Sequence, residues 1–212
     1  MKKRILLISS GWVHPTWISR HVLLGLLKGE GMFEIERVGS MEELAGREKI
    51  QKDAAILYFH RRKISDAAMD AFESFVTLGG GVLAIHSATA SFKKSDRYFD
   101  ILGGRFIGHG PVEPLEIVPS LDQDEIFPGI QPFLVKDELY RHETRSDIRV
   151  HFTAECQGES VPVVWTRKAG KGRVCYACPG HRSLAMRSES YRKILLQGVH
   201  WICDNNDARG TS

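Results

Sequence analysis

The chain has 212 residues, 42% of them hydrophobic and 26% charged, a globular composition that excludes a disordered or fibrous protein. Its 29 Lys and Arg are interspersed with 26 Asp and Glu for a net charge of +3, without the one-sided basic concentration of a dedicated nucleic-acid binder. A chain of this length buries roughly 70% of the surface it exposes when unfolded, so it needs no disulfide or structural metal to fold. One domain over residues 1–203 with a polar tail over 204–212 is expected.

Ile5–Ser9 opens the chain as a continuous apolar run, the pattern of a strand buried on both faces. The run is shorter than the roughly 7–15 apolar residues of a secretory signal, and no segment approaches the ~20 of a membrane span. A cytoplasmic protein without membrane contact is the expectation. Thr16–Lys28 follows as an amphipathic helix closed by Gly29 and Gly31, then Phe33–Val38 as a strand and a polar helical segment around Met41–Gln51. Ala54–Phe59 reads as a second buried strand. Ser65 is placed as the N-cap of a helix running to Leu78, which Gly79-Gly80-Gly81 stops before the strand Val82–Ile85. This alternation predicts an α/β fold with a doubly wound, mostly parallel sheet and helices on both faces.

The second half reads differently. Pro111–Ser120 is a strand, Val163–Thr166 and Gly172–Cys178 flank a hairpin turn, and Tyr191–Cys203 is a closing amphipathic helix. Four cysteines do not make a disulfide framework in a chain this size. Cys175 and Cys178 have the spacing of a redox or zinc pair, but on a strand their side chains point to opposite faces, and no second pair completes a zinc site.

Ligands of open parallel sheets bind beyond the carboxyl ends of the strands, and histidines gather there. His60 ends the second apolar strand, His86 ends Val82–Ile85, His181 follows the late strand, and His14 lies after the first. Several imidazoles on one edge suit metal binding or acid–base catalysis. His86 also has small neighbours two residues away on each side, Ala84 and Ala88, as a sharp strand-to-helix elbow requires. A glycine-rich dinucleotide fingerprint and a P-loop are both missing, so neither NAD nor ATP is expected.

The segment Gly79–Ala88 resembles the elbow of class I glutamine amidotransferase-like domains, which implies a flavodoxin-like sheet. Four pieces together are similar to the trehalose-utilisation (ThuA-like) family: Gly80–Ala88, Gly103–His109, Asp137-Glu-Leu-Tyr-Arg141 and Gly170–His181, followed by a matching closing helix over Tyr191–Ile202. The departure from true amidotransferases is chemical. His86 stands where their cysteine nucleophile would, no carboxylate follows His181 two places on, and His60-Arg-Arg-Lys63 lacks glycines for an oxyanion cradle. Amidotransferase activity is not expected.

The resemblance implies carbohydrate catabolism, with a sugar or oxidised (keto) sugar as ligand. It carries His86, His109, Glu138, Tyr140 and His181 onto the site, and the strand-exit argument adds His14 and His60. We expect His86, His181 and Glu138 to be catalytic and His14, His60, His109, Tyr140 and Arg61 to bind substrate. His60, His86, Glu138 and His181 form a donor set for a divalent metal such as zinc. The alternative is a non-catalytic protein that binds a sugar or a small anion, the anion through Arg61-Arg62-Lys63. A homo-oligomer is compatible with either reading.

Overall fold

The structure is a computed structural model that describes residues 2–10, 17–47, 50–121 and 123–204. In chain order the elements are β1 (Lys3–Ser10), α1 (Trp17–Gly29), β2 (Phe33–Val38), β3 (Ala54–Phe59), α2 (Asp66–Thr77), β4 (Gly81–Ile85), α3 (Asp96–Leu102) and β5 (Gly104–Pro119). Then come β6 (Phe133–Thr144), β7 (Arg149–Cys156), β8 (Glu159–Ala169), β9 (Gly172–Ala177) and α4 (Glu189–Cys203). The protein is a mixed α/β structure around one nine-stranded sheet of order β2-β1-β3-β4-β9-β8-β7-β5-β6.

The β2-β1-β3-β4-β9 part is parallel, and the remaining neighbours pair antiparallel. The sheet is therefore half antiparallel rather than mostly parallel. For β7-β8 and β8-β9 the reason is local, since tight turns between these strands permit only antiparallel pairing, whereas β1 to β4 are separated by crossover segments. Continuous burial along β3 and β4 reflects cover on both sides. A Cβ on Gly81 of β4 would lie 2.2 Å from the Ile202 carbonyl of α4, and one on Gly172 of β9 would lie 2.5 Å from the Val76 carbonyl of α2. Because Val82 pairs with Val174, Gly81 and Gly172 point to opposite faces, so α4 and α2 cover opposite sides of the sheet.

Ser65 caps α2 by accepting the Ala68 N–H, as its position before the apolar face requires. The expected helix around Met41–Gln51 is a single 3₁₀ turn, Met41–Leu44, closed by a capping box between Ser40 and Glu43. Only Met41 and Leu44 of that turn are buried, too little apolar surface to hold a longer helix against the sheet. Strands β6 and β7 and helix α3 were not anticipated. In β6 four consecutive residues, Asp137 to Tyr140, are buried, so polar and apolar side chains mix on both faces and erase the period-two signal.

Candidate active site

At the end of β4 the chain leaves extended geometry at Ile85 and turns at once into a 3₁₀ turn over His86–Ala88. His86 holds a φ of +49°, a left-handed backbone that costs a non-glycine residue about 1–3 kcal/mol and persists where the surroundings over-determine it. The elbow expected from the small flanking residues is thus present, with Ala84 and Ala88 fully buried. Ser87 Oγ donates to the Phe59 carbonyl at 3.0 Å, and the Tyr176 hydroxyl donates to the His86 carbonyl at 3.3 Å. Both bonds pin the turn.

The His86 ring is fully buried. Its Nδ1 lies 2.9 Å from the Cys178 carbonyl, which can only accept, so Nδ1 carries the proton and donates. In the neutral ring the lone pair is then on Nε2, 3.7 Å from Glu138 Oε2. Tyr140 packs on the other side, ring centroids 4.2 Å apart.

Glu138 reaches this point because β6 crosses the end of β9. The Tyr140 N–H donates to Cys178 Sγ at 3.4 Å, which locks the middle of β6 over the strand exits. From there Glu138 Oε2 lies 3.0 Å from His181 Nδ1 and Oε1 lies 3.8 Å from His109 Nδ1. One ligand atom from each of His86, Glu138 and His181 falls within 4.8 Å of the others. Desolvation holds His181 below the ordinary imidazole range, opposed by the Glu138 charge.

The loop after β9 is tied down from several directions. Asp137, fully buried, accepts the N–H of Glu138 at 2.8 Å and those of Gly180 and His181 at 3.1 Å each. Burial pushes its carboxyl up to about 6, while these main-chain donors pull it down. The Tyr58 hydroxyl donates to the Gly180 carbonyl at 2.5 Å, and that of Tyr191 donates to the Pro179 carbonyl. A Cβ on Gly180 would lie only 2.7 Å from His86 Cβ, so glycine is what lets this loop meet the elbow.

A family profile described as trehalose utilisation (ThuA) matches residues 4–202. The chain belongs to the ThuA family. Its fold is similar to that of a ThuA-like protein from Parabacteroides merdae, 20% identical, TM-score 0.84, over 96% of this chain and 91% of that one. A ThuA-like protein from Bacteroides uniformis is 17% identical with TM-score 0.79 over 95% and 91% of the two chains. A cytoplasmic protein from Salmonella typhimurium is 14% identical with TM-score 0.66 over 94% and 98%. No curated protein matches the sequence. Membership of the ThuA family supports a carbohydrate-related role, and no helix among the described residues is long and apolar enough to cross a membrane.

Of the residues singled out in this ThuA sequence, the structure brings His86, Glu138, His181, His109 and Tyr140 together. His60 is exposed at the end of β3 and is not part of the three-residue cluster. Of the expected donors His60, His86, Glu138 and His181, the last three share one point, while His60 is exposed and has its pKa lowered by desolvation and by the charges of Lys93, Arg62 and Arg61. Arg61 is exposed beside it. His14 lies outside the described residues. Of the carboxylate pair Asp137-Glu138 only Glu138 was expected in the site, yet Asp137 holds its loop, and Phe106, which packs on Tyr140 at 4.4 Å, was not singled out. Phe106 and His109 sit on β5 on either side of a register shift between Phe106 and Gly108. That irregularity lets both rings meet Tyr140.

Cys175, Cys178 and Cys203 behave as buried hydrophobes. Burial pushes the Cys178 thiol up to about 12 and raises Cys175 further. Cys175 faces α4, its Sγ 3.2 Å from where a Gly198 Cβ would stand, whereas Cys178 faces β6. A thiolate nucleophile is not formed here near neutral pH.

Proposed function

We propose that this ThuA protein is an enzyme acting on a sugar or oxidised (keto) sugar, with His86, Glu138 and His181 as its reacting groups. The observation that carries the reading is the single Glu138 carboxylate standing between two imidazoles, one delivered by a strained elbow and the other by a loop held on Asp137. Strain maintained by several hydrogen bonds is characteristic of functional sites, and a carboxylate–histidine pair can hold and pass a proton at a carbon beside a ketone. Glu138 is placed to take that proton, and His181, 3.0 Å away, to relay it. His86 keeps its lone pair directed into the site through its bond to Cys178. His109 and Tyr140 position the sugar at the rim.

The donor set also fits a divalent metal such as zinc. Two imidazoles and one carboxylate are a recurrent catalytic set, and a ligating histidine usually donates its other N–H to a carbonyl, as His86 does. A bound ion would polarise a sugar carbonyl or activate water. The β2-β1-β3-β4-β9 strand order supports the finer reading of a doubly wound, flavodoxin-like sheet with its crevice beyond the carboxyl ends of the strands. A single domain over 1–203 and a cytoplasmic location complete the proposal.

The test is hydrogen exchange. Keto-sugars are incubated with the protein in deuterium oxide, with and without added zinc, and deuterium at the carbon beside the ketone is followed by NMR together with product formation. Exchange or turnover that is lost in His86→Ala and in Glu138→Gln supports the reading. Saturable sugar binding with neither exchange nor product overturns it in favour of a binding protein.

A further inference from the structure

Several arginines of this protein are paired with carboxylates. Arg97 pairs with Asp70 and Glu73, Arg105 with Asp96, Arg145 with Asp100 and Arg167 with Asp147. By contrast, among the described residues Arg61, Arg62, Lys63, Lys93 and Lys94 form no ion pair with a carboxylate, and all five are exposed. They come from the two loops that follow β3 and β4, so they collect at the same sheet edge as the reacting groups.

These loops are laced together. The Arg61 N–H donates to Ser91 Oγ at 3.1 Å, and the Phe92 N–H donates to the Arg61 carbonyl at 3.0 Å. Phe92 is buried against Phe59 and Tyr98 with a left-handed φ of +50°. That strained turn is what sends Lys93 out of the surface, its ammonium 4.5 Å from the centre of the Phe106 ring. The contacts then run without a break from Lys93 to Phe106, from Phe106 to Tyr140 at 4.4 Å, and from Tyr140 to His86 at 4.2 Å. An aromatic wall thus leads from the reacting centre to a cationic rim, of which Arg62, Lys63 and Lys94 share a cleft with Asp66 and Asp96, while Arg61 and Lys93 are not in its lining. Holding like charges together without an ion-paired carboxylate is unfavourable. An anionic ligand relieves it.

Building on the sugar reading above, we propose that the substrate carries an anionic substituent, a carboxylate or a phosphate. Lys93 and Arg61 would hold that group while the sugar lies against Phe106 and Tyr140 with its reacting carbon at Glu138. The two loop cations fix the far end of the ligand, and so set which of its carbons reaches the carboxylate.

The experiment measures binding by calorimetry with inorganic phosphate, glucuronate, glucose 6-phosphate and glucose at low salt. Phosphate and at least one charged sugar bind in preference to glucose, and that preference shrinks as salt rises. The exposed-residue variants Lys93→Gln and Arg61→Gln each weaken anion binding roughly tenfold, as loss of a hydrogen bond to a charged group does. Lys93→Arg retains it, and Lys28→Gln, on the distant end of α1, leaves it unchanged. Equal affinity for charged and neutral sugars, absence of anion binding, or an equal effect of Lys28→Gln overturns the anionic handle. Charged-sugar binding that depends on Lys93 but gives no exchange or turnover would instead sink the enzymatic reading and leave this one standing. Comparison of phosphate-bearing with carboxylate-bearing sugars tells the two anion types apart.

Discussion

The Asp137 carboxylate lies beneath the loop that carries His181 and accepts the His181 main-chain N–H at 3.1 Å, while its chain neighbour Glu138 meets the same histidine's Nδ1 at 3.0 Å. One dipeptide of β6 therefore holds both the backbone and the ring of His181. Asp137 is a positioning residue. Asp137→Asn presents an amide N–H to a main-chain donor, and it should lower turnover or metal affinity on the order of 10–100-fold, the usual effect of losing such an orienting partner. The His181 imidazole should shift its NMR titration at the same time. A normal His181 titration with full activity would remove Asp137 from this role.

Gly180 is required where its backbone meets the elbow. Alanine there puts a Cβ 2.7 Å from His86 Cβ, and relief needs backbone movement, so Gly180→Ala should destabilise by about 1–3 kcal/mol and displace His86. Gly25→Ala on α1, where nothing lies within 4 Å of the new Cβ, serves as the control and should be neutral or slightly stabilising. Thermal unfolding of the two variants checks the contrast.

His142 links pH to stability. Burial pushes its pKa down to about 3, below the ordinary value near 6.5. The unfolded chain therefore binds this proton more readily, and the stability that the neutral ring contributes is full above about pH 6.5 and is lost as pH falls toward 3. Asp137, held up to about 6, acts in the opposite sense between about pH 6 and 4. Urea unfolding of His142→Gln beside the parent should show a shallower loss of stability below pH 6.5 in the variant. Identical slopes would exclude His142 as a source.

Metal binding is checked on untagged protein purified without chelator. Near-stoichiometric divalent metal is the expected result, and zinc at a hundredfold excess over its dissociation constant should stabilise the fold by about 2.7 kcal/mol. His86→Ala and Glu138→Gln should abolish that increment while keeping the fold. Zinc stabilisation that survives both substitutions would place the ion elsewhere.

Parts of this architecture were legible residue by residue. Unbroken apolar runs at Ile5–Ile8, Ala54–Phe59 and Val82–Ile85 have the pattern of strands covered on both faces, and Ser65 marks the start of its helix by its own chemistry. Ala84 and Ala88 announce the turn at His86, because no larger side chain fits where two backbones close together. Glu138 was reachable only through the family resemblance. Its strand buries Asp137, Glu138, Leu139 and Tyr140 in succession, and a residue whose two faces are both covered leaves no alternation to read. His60 shows the converse limit: a strand-exit position fixes the edge of the sheet but not which side chains meet there, and His60 stays exposed outside the cluster.

The sequence by itself determined the buried strands β1, β3 and β4, the Ser65 cap and the elbow, since each follows from hydrophobic period, capping chemistry and side-chain size within a few residues. Only the tertiary structure decided that β6 crosses the end of β9 and sets one carboxylate between His86 and His181. That meeting depends on contacts 38 or more positions apart along the chain, and no local propensity specifies which distant side chains share a buried point.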